Sequence, residues 1–169
     1  KRQRTDWPIV PELRKQDEVV KVSPDQDYPE NLDVLLAALP HTLNAQQLSR
    51  LVAYVKEGRP ALVLLDPLPP PVNLNPLLEA LGVSWQQDRI VWDSYNPHPQ
   101  LRRLPQEVIF VGAGNQAPMP FEQSEEMTSG LQEVVLLYAG TLSPRQDASV
   151  QFTPLITTGP NSGTLRWNQ

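Results

Sequence analysis

The sequence predicts an α/β fold built around one parallel βαβ unit, with antiparallel strands added in the later half. Three observations predict it. Residues 34–39 (VLLAAL) and 61–65 (ALVLL) are continuously apolar, the pattern of strands covered on both faces. Between them Leu43, Leu48, Leu51, Val52 and Val55 recur at helical spacing. Asn44 is placed to cap that helix by accepting a backbone N–H, and Gly58 to end it in the left-handed conformation. A strand, a crossover helix and a parallel strand form a right-handed unit in nearly every known case. Ligands of such sheets collect beyond the carboxyl ends of the strands. Those ends are Pro40-His41-Thr42 and Asp66-Pro67-Leu68.

In chain order, residues 7–16 (WPIVPELRKQ) space Trp7, Val10 and Leu13 as a short helix, with its prolines tolerable only in a first turn. Residues 18–22 (EVVKV) read as a strand, and 23–31 (SPDQDYPEN) as a polar turn leading into the βαβ unit. Asn73 caps a helix through Leu74, Leu77, Leu78 and Leu81 that Gly82 closes. Residues 83–93 predict a hairpin, or a strand after a turn, with Ile90-Val91-Trp92 as its apolar part. Turn residues make 94–105 a loop. Residues 107–113 form a strand, 114–120 a breaker cluster, and 124–130 a brief helix with Ser124 as cap. Residues 134–138 read as a buried strand, 139–149 as a polar connection and 152–158 (FTPLITT) as the last strong strand. After a turn at 159–163, residues 164–167 return as an edge strand.

With 169 residues the chain fits one domain with a real core. Its 19 prolines are roughly twice the usual share and fall mostly between apolar runs, as loop stiffeners. A net charge of −5 argues against a general nucleic-acid binder, and the basic start Lys1-Arg2-Gln3-Arg4 reads as a solvated end. Absence of Cys removes thiol nucleophiles, thiolate metal sites and disulfides, and with two His a zinc site would need carboxylates. No run reaches the ~20 apolar residues of a membrane span.

Asp66 is the best-placed acid, since a carboxylate at a strand end faces any crevice ligand, although Asp before Pro is also a routine turn starter. His41 follows the neighbouring strand and is placed to meet Asp66 across adjacent loops, against the plainer role of an exposed loop His. Asn161 lies at a third strand end, with a turn role as its alternative. These three residues are the candidate ligand contacts; no catalytic residue, metal or cofactor is assigned. No GxSxG elbow is present. Gly112-Ala113-Gly114 lacks the remaining glycine of a phosphate loop and precedes prolines, so nucleotide binding is rejected. Glu122, Glu125 and Glu126 suit either a carboxylate pair or the start of a helix. Trp85, Trp92 and Tyr95 suit either a sugar-stacking platform or the core.

Taken together, ELRKQDEVVKV, YPENLDVLLAALPHTLNAQQLSRLVAYVKEGRPALVLLDP, NLNPLLEALGV, MTSGLQEVVLLYAGTLS and FTPLITTGPNSG resemble the auxiliary component of ABC-type transport systems called gliding-motility-associated. The resemblance leaves only about 94–123 unplaced. It implies a three-layer, mostly parallel flavodoxin-like or class I glutamine-amidotransferase-like sheet flanked by helices. It also implies a position on the outer face of a bacterial membrane, anchored by parts of a larger protein, with an ABC permease and ATPase as partners. The amidotransferase Cys nucleophile has no counterpart here, so the activity does not carry over. Related sequences place a further strand ahead of 7–16, which makes 1–6 a loop remnant. That comparison predicts an open sheet edge beside 18–22 and self-association through it. The first functional reading is a non-enzymatic binding or coupling domain; the second is a small-molecule or sugar-active hydrolase using Asp66 with Glu122 or Glu125.

Overall fold

The apolar run at 35–38 does form a strand, β1 (Leu35–Ala38), and it pairs in parallel with β2 (Ala61–Leu64) in the register Leu35 to Ala61 through Ala38 to Leu64. The computed structural model describes residues 7–67 and 70–166. Lys1, Asp6 and the segment between them, expected as a loop, lie outside the described residues, as does Trp167.

Helix α2 (Ala45–Lys56) crosses between the two strands as predicted. Its start is a full capping box: the Gln47 amide donates to Asn44 Oδ1 and the Asn44 amide to Gln47 Oε1, each at 2.9 Å. Gly58 takes φ +73° just beyond its end. Helix α3 (Asn75–Ala80) follows, with Pro76 in its first turn and Gly82 beyond it at φ +68°. Leu35, Leu48, Leu51, Val52, Tyr54, Leu74, Leu77 and Leu78 form the buried cluster between β1, α2 and α3. Tyr54 lies outside the predicted apolar stripe yet is buried, because its hydroxyl donates to the Pro60 carbonyl at 3.1 Å while Arg59 covers its ring. Segment 23–31 is tied to α2 by Gln47 Nε2 donating to Asp25 Oδ1 at 2.7 Å and Arg50 Nη1 to the Pro24 carbonyl. Tyr28 packs edge-on against Tyr54, and this burial raises its pKa, with Arg50 pulling the other way.

The short helix α1 (Ile9–Leu13) stands where predicted, but 18–22 is not a strand. It joins none of the described ladders; Val22 packs on the apolar cluster and Val20 stays exposed. The open edge expected beside 18–22 therefore has no strand there to border. Nor are β1 and β2 covered on both faces. Leu35, Ala37, Ala61 and Val63 pack on the cluster, whereas on the other face Leu62 keeps 45% of its surface exposed. Helices α2 and α3 cover one side of the two-stranded sheet; on the other only the short α1 lies over β1, and Leu62 stays partly in solvent.

The remaining strands are β3 (Val83–Trp85), β4 (Arg89–Asp93), β5 (Val108–Gly112), β6 (Glu133–Leu137), β7 (Leu142–Pro144) and β8 (Ser162–Arg166). They pair antiparallel as β3–β7, β4–β8 and β5–β6. The expectation of a mostly parallel sheet is thus overturned: one described pair is parallel and three are antiparallel. Parallel strands need a long crossover, usually helical, and among the described residues no α-helix follows α3. Strands β3 and β4 do not form a hairpin together, since each pairs with a later strand. Residues 152–158 make only the isolated bridge between Phe121 and Ile156: the Thr157 amide donates to the Pro120 carbonyl, but Pro120 has no N–H to return and Pro154 none to extend the pairing. Residues 124–130 form turns instead of a helix, as Ser124 spends its amide and hydroxyl on Glu122. Strand β6 is not buried. Val134 and Leu136 pack against Val91, Ile109, Val111 and Phe121, and the alternate residues face solvent.

Two substitutions test this frame. Leu51, fully buried, should lose about 2–5 kcal/mol of folding stability on change to Ala. Asn44→Ala should lose about 1 kcal/mol through the missing cap. Urea unfolding of both variants checks the order and size of the losses.

Candidate functional site

The carboxyl ends of β1 and β2 lie side by side, so parallel pairing brings His41 and Asp66 to one end of the sheet. Leu39 adopts φ +52°, and a 3-10 turn over Pro40–Thr42 carries His41 out of the strand. Thr42 Oγ1 donates to the Leu39 carbonyl at 2.9 Å and closes that turn. Both candidates are half-buried. An open, largely apolar groove of about 320 Å³ runs between α1 and β1, lined by Trp7, Ile9, Val10, Leu36, Leu39 and Thr42 among others but by neither His41 nor Asp66.

Asn161 belongs to a different place. It precedes β8, donates from Nδ2 to Ser94 Oγ at 2.7 Å and accepts the Ser94 amide on its carbonyl at 3.2 Å. This pins the end of β4 to the start of β8. Next to it is a buried polar knot that sequence reasoning missed. Asp93, 5% exposed, accepts the Tyr95 amide on Oδ1 at 2.8 Å and the Gly159 amide on Oδ2 at 2.9 Å. Buried Asn115 donates to the Thr157 carbonyl and accepts the Ala117 amide. Ser162 Oγ donates to the Gly159 carbonyl at 2.6 Å. A side chain at 159 would overlap the Asn115 carbonyl oxygen, so Gly is required by space. The available signal was the density of turn formers in GAGN and TTGPNSG.

The other motifs resolve on geometry. Gly112 and Gly114 make room for the Tyr95 ring: a Cβ at 114 would stand 2.8 Å from its hydroxyl oxygen. A Cβ at 163 would likewise stand 2.9 Å from Trp92 Nε1, and Gly140 faces Trp85. Each of the three aromatics thus lies against glycine: Tyr95 against two, Trp92 and Trp85 against one each. The Glu122 carboxylate accepts the Ser124 amide at 2.9 Å and the Ser124 hydroxyl at 2.7 Å, and these bonds hold its pKa below the ordinary glutamate value. Such a group is an anion at neutral pH, unsuited to donating a proton. Arg145 holds Asp147 below the usual range in the same way. Among the described residues no three His, Asp or Glu side chains group as a metal site. A second open cleft, of about 420 Å³, is lined by Ala113, Pro118, Pro120, Phe121, Gln123 and Gln132 among others, with no charged side chain in its wall.

These features do not decide an activity; comparison with known proteins decides the family. A family model described as ABC-type uncharacterized transport system matches residues 1–169. The chain belongs to this family. Its name denotes an auxiliary component of an ABC-type transport system, which associates the chain with a membrane transporter. No curated protein and no solved structure matches the chain. No described helix of this transport-system protein is long and apolar enough to cross a membrane.

Asp93→Ala should leave the buried Gly159 amide without an acceptor and cost about 1–3 kcal/mol, measured by thermal or urea unfolding. For Glu122 the folded-state pKa lies below the unfolded one, so its contribution is full above the unfolded value and is lost as pH falls through the folded value. The Ser124 amide resonance should accordingly titrate with a midpoint below that of an ordinary glutamate. An ordinary midpoint would show that the bonds to Ser124 do not persist in solution.

Proposed function

We propose that this chain is the non-catalytic, extracytoplasmic binding and coupling domain of a gliding-motility-type ABC transport system, acting with that system's permease and ATPase. The family match across residues 1–169 is the observation that carries this reading. The parallel β1–β2 pair with its crossover helix supports kinship with flavodoxin-like domains, which present their contacts at the same end of the sheet. His41 and Asp66 stand at that end and form the contact in this reading, and Leu39 and Thr42 of the turn that carries His41 line the apolar groove under α1. A crevice with a few polar anchors is what a binding module needs. Asn161 is a separate candidate contact beside Ser94. The knot around Asp93 has the job of holding loops, since both carboxylate oxygens are engaged by backbone amides.

Co-purification of the protein with its permease and ATPase tests the reading. The three should be recovered together, and His41→Ala should reduce recovery several-fold with stability changed by no more than about 0.5 kcal/mol. Recovery of permease and ATPase together, with this protein absent, would refute it.

A further inference from the structure

Residues 99–106 (PQLRRLPQ), on the loop between β4 and β5, are all exposed. Within them Leu101 keeps 37% and Leu104 42% of its surface in solvent. The Leu104 amide donates to the Leu101 carbonyl at 3.1 Å, so one tight turn sets the two leucines near each other with Arg102 and Arg103 between them. That turn is held in place. Asn96 accepts the His98 amide at 2.8 Å and donates to the Leu101 carbonyl at 3.2 Å. The His98 ring lies on Phe110, and its Nε2 meets Glu133 Oε1 at 2.7 Å. On the far side the Val108 amide donates to the Pro105 carbonyl at 3.0 Å. Little conformational entropy is left to lose when such a turn meets a partner.

Other arginines of the chain are engaged internally. Arg50 reaches Asp27 and the Pro24 carbonyl, Arg59 the Pro29 carbonyl, Arg89 Thr164 and Arg145 Asp147. Among the described residues neither Arg102 nor Arg103 has such a partner. In a chain of net charge −5, two free guanidinium groups beside two exposed leucines suit a partner that is anionic and also accepts apolar side chains. The turn lines neither cleft, so it projects and does not enclose a ligand. A free phosphate has no use for the leucines, and a folded protein partner needs about 800 Å² of matched surface, far more than one turn presents. A bilayer surface needs neither pocket nor matched outline. It takes leucine into the boundary of headgroups and acyl chains and guanidinium at the level of the phosphates, with the arginine stem along the apolar layer. The family, moreover, associates this chain with a membrane transporter. We infer that the 101–104 turn is a contact with the surface of a membrane carrying anionic phospholipid. This contact does not depend on His41 or Asp66.

The absence of cysteine allows a single reporter. In the full chain, Leu104→Cys carrying the polarity-sensitive fluorophore NBD should brighten and shift to the blue on vesicles of phosphatidylglycerol, and not on vesicles of phosphatidylcholine. Added salt should reverse the change, because it screens the headgroup attraction. Vesicle sedimentation of unlabelled chain measures the side chains. Arg102→Gln with Arg103→Gln should lower the partition coefficient roughly 25-fold, about five-fold for each cation. Leu101→Ser with Leu104→Ser should lower it several-fold. Lys56→Gln with Arg166→Gln removes the same charge from two other exposed positions and should change it less than about three-fold. An unshifted reporter on phosphatidylglycerol, or equal losses in the two charge-removing pairs, would overturn the inference. So would a reporter that responds to the permease and ATPase in detergent but to no vesicle, the mark of a protein partner.

Discussion

Burial of Leu35, Ala37, Ala61 and Val63 beneath α2 and α3 sets where everything else in the first half can go. Each β1–β2 partner pair shares a face, so one register places all four side chains on the helices and sends Leu36 and Leu62 to the other side. A slip by one residue would exchange the two sets and strand the core. Leu51 and Leu77, both wholly buried, close the cluster from α2 and α3. The same register brings the two strand ends together, which is why His41 and Asp66 come to one end of the sheet although 24 intervening residues separate them.

The second half is held differently. Its strands are short, its core around Val91, Ile109, Val111 and Phe121 is small, and its loops are fastened by polar and steric devices. Asp93 and Asn115 take up backbone amides and carbonyls that the interrupted ladder near Pro154 and Pro160 leaves over. Glycines let aromatic rings lie directly on backbone at Tyr95 and Trp92. Such an arrangement explains both the turn-rich composition and the placement of aromatics without a ligand. It also leaves the outer edge of β6 without a ladder partner among the described residues.

Much of the first half was legible because local signals agree there. Asn44 with Gln47, the stripe Leu48-Leu51-Val52, and Gly58 each point to the same helix, and the flanking apolar runs point to parallel strands. Where a segment depends on a distant partner, pattern alone misleads. Residues 18–22 alternate well enough for a strand but find no ladder, and 152–158 lose theirs to proline. The run at 134–137 is apolar on both faces, yet only one face meets a core. The site divided in the same way: His41 and Asp66 follow from strand ends, whereas Asp93, Asn115 and Gly159 converge from three separate segments whose approach no spacing encodes.

Amide hydrogen exchange tests the parallel β1–β2 register most directly. The Leu35 amide donates to the Pro60 carbonyl and the Leu39 amide to the Leu64 carbonyl, each at 3.0 Å, while the intervening Leu36 and Ala38 turn theirs outward. Protection at Leu35 and Leu39 near the level of global unfolding, with Leu36 and Ala38 exchanging much faster, is the predicted result. Protection at Leu36 and Ala38 equal to that at Leu35 and Leu39 would contradict the two-stranded frame.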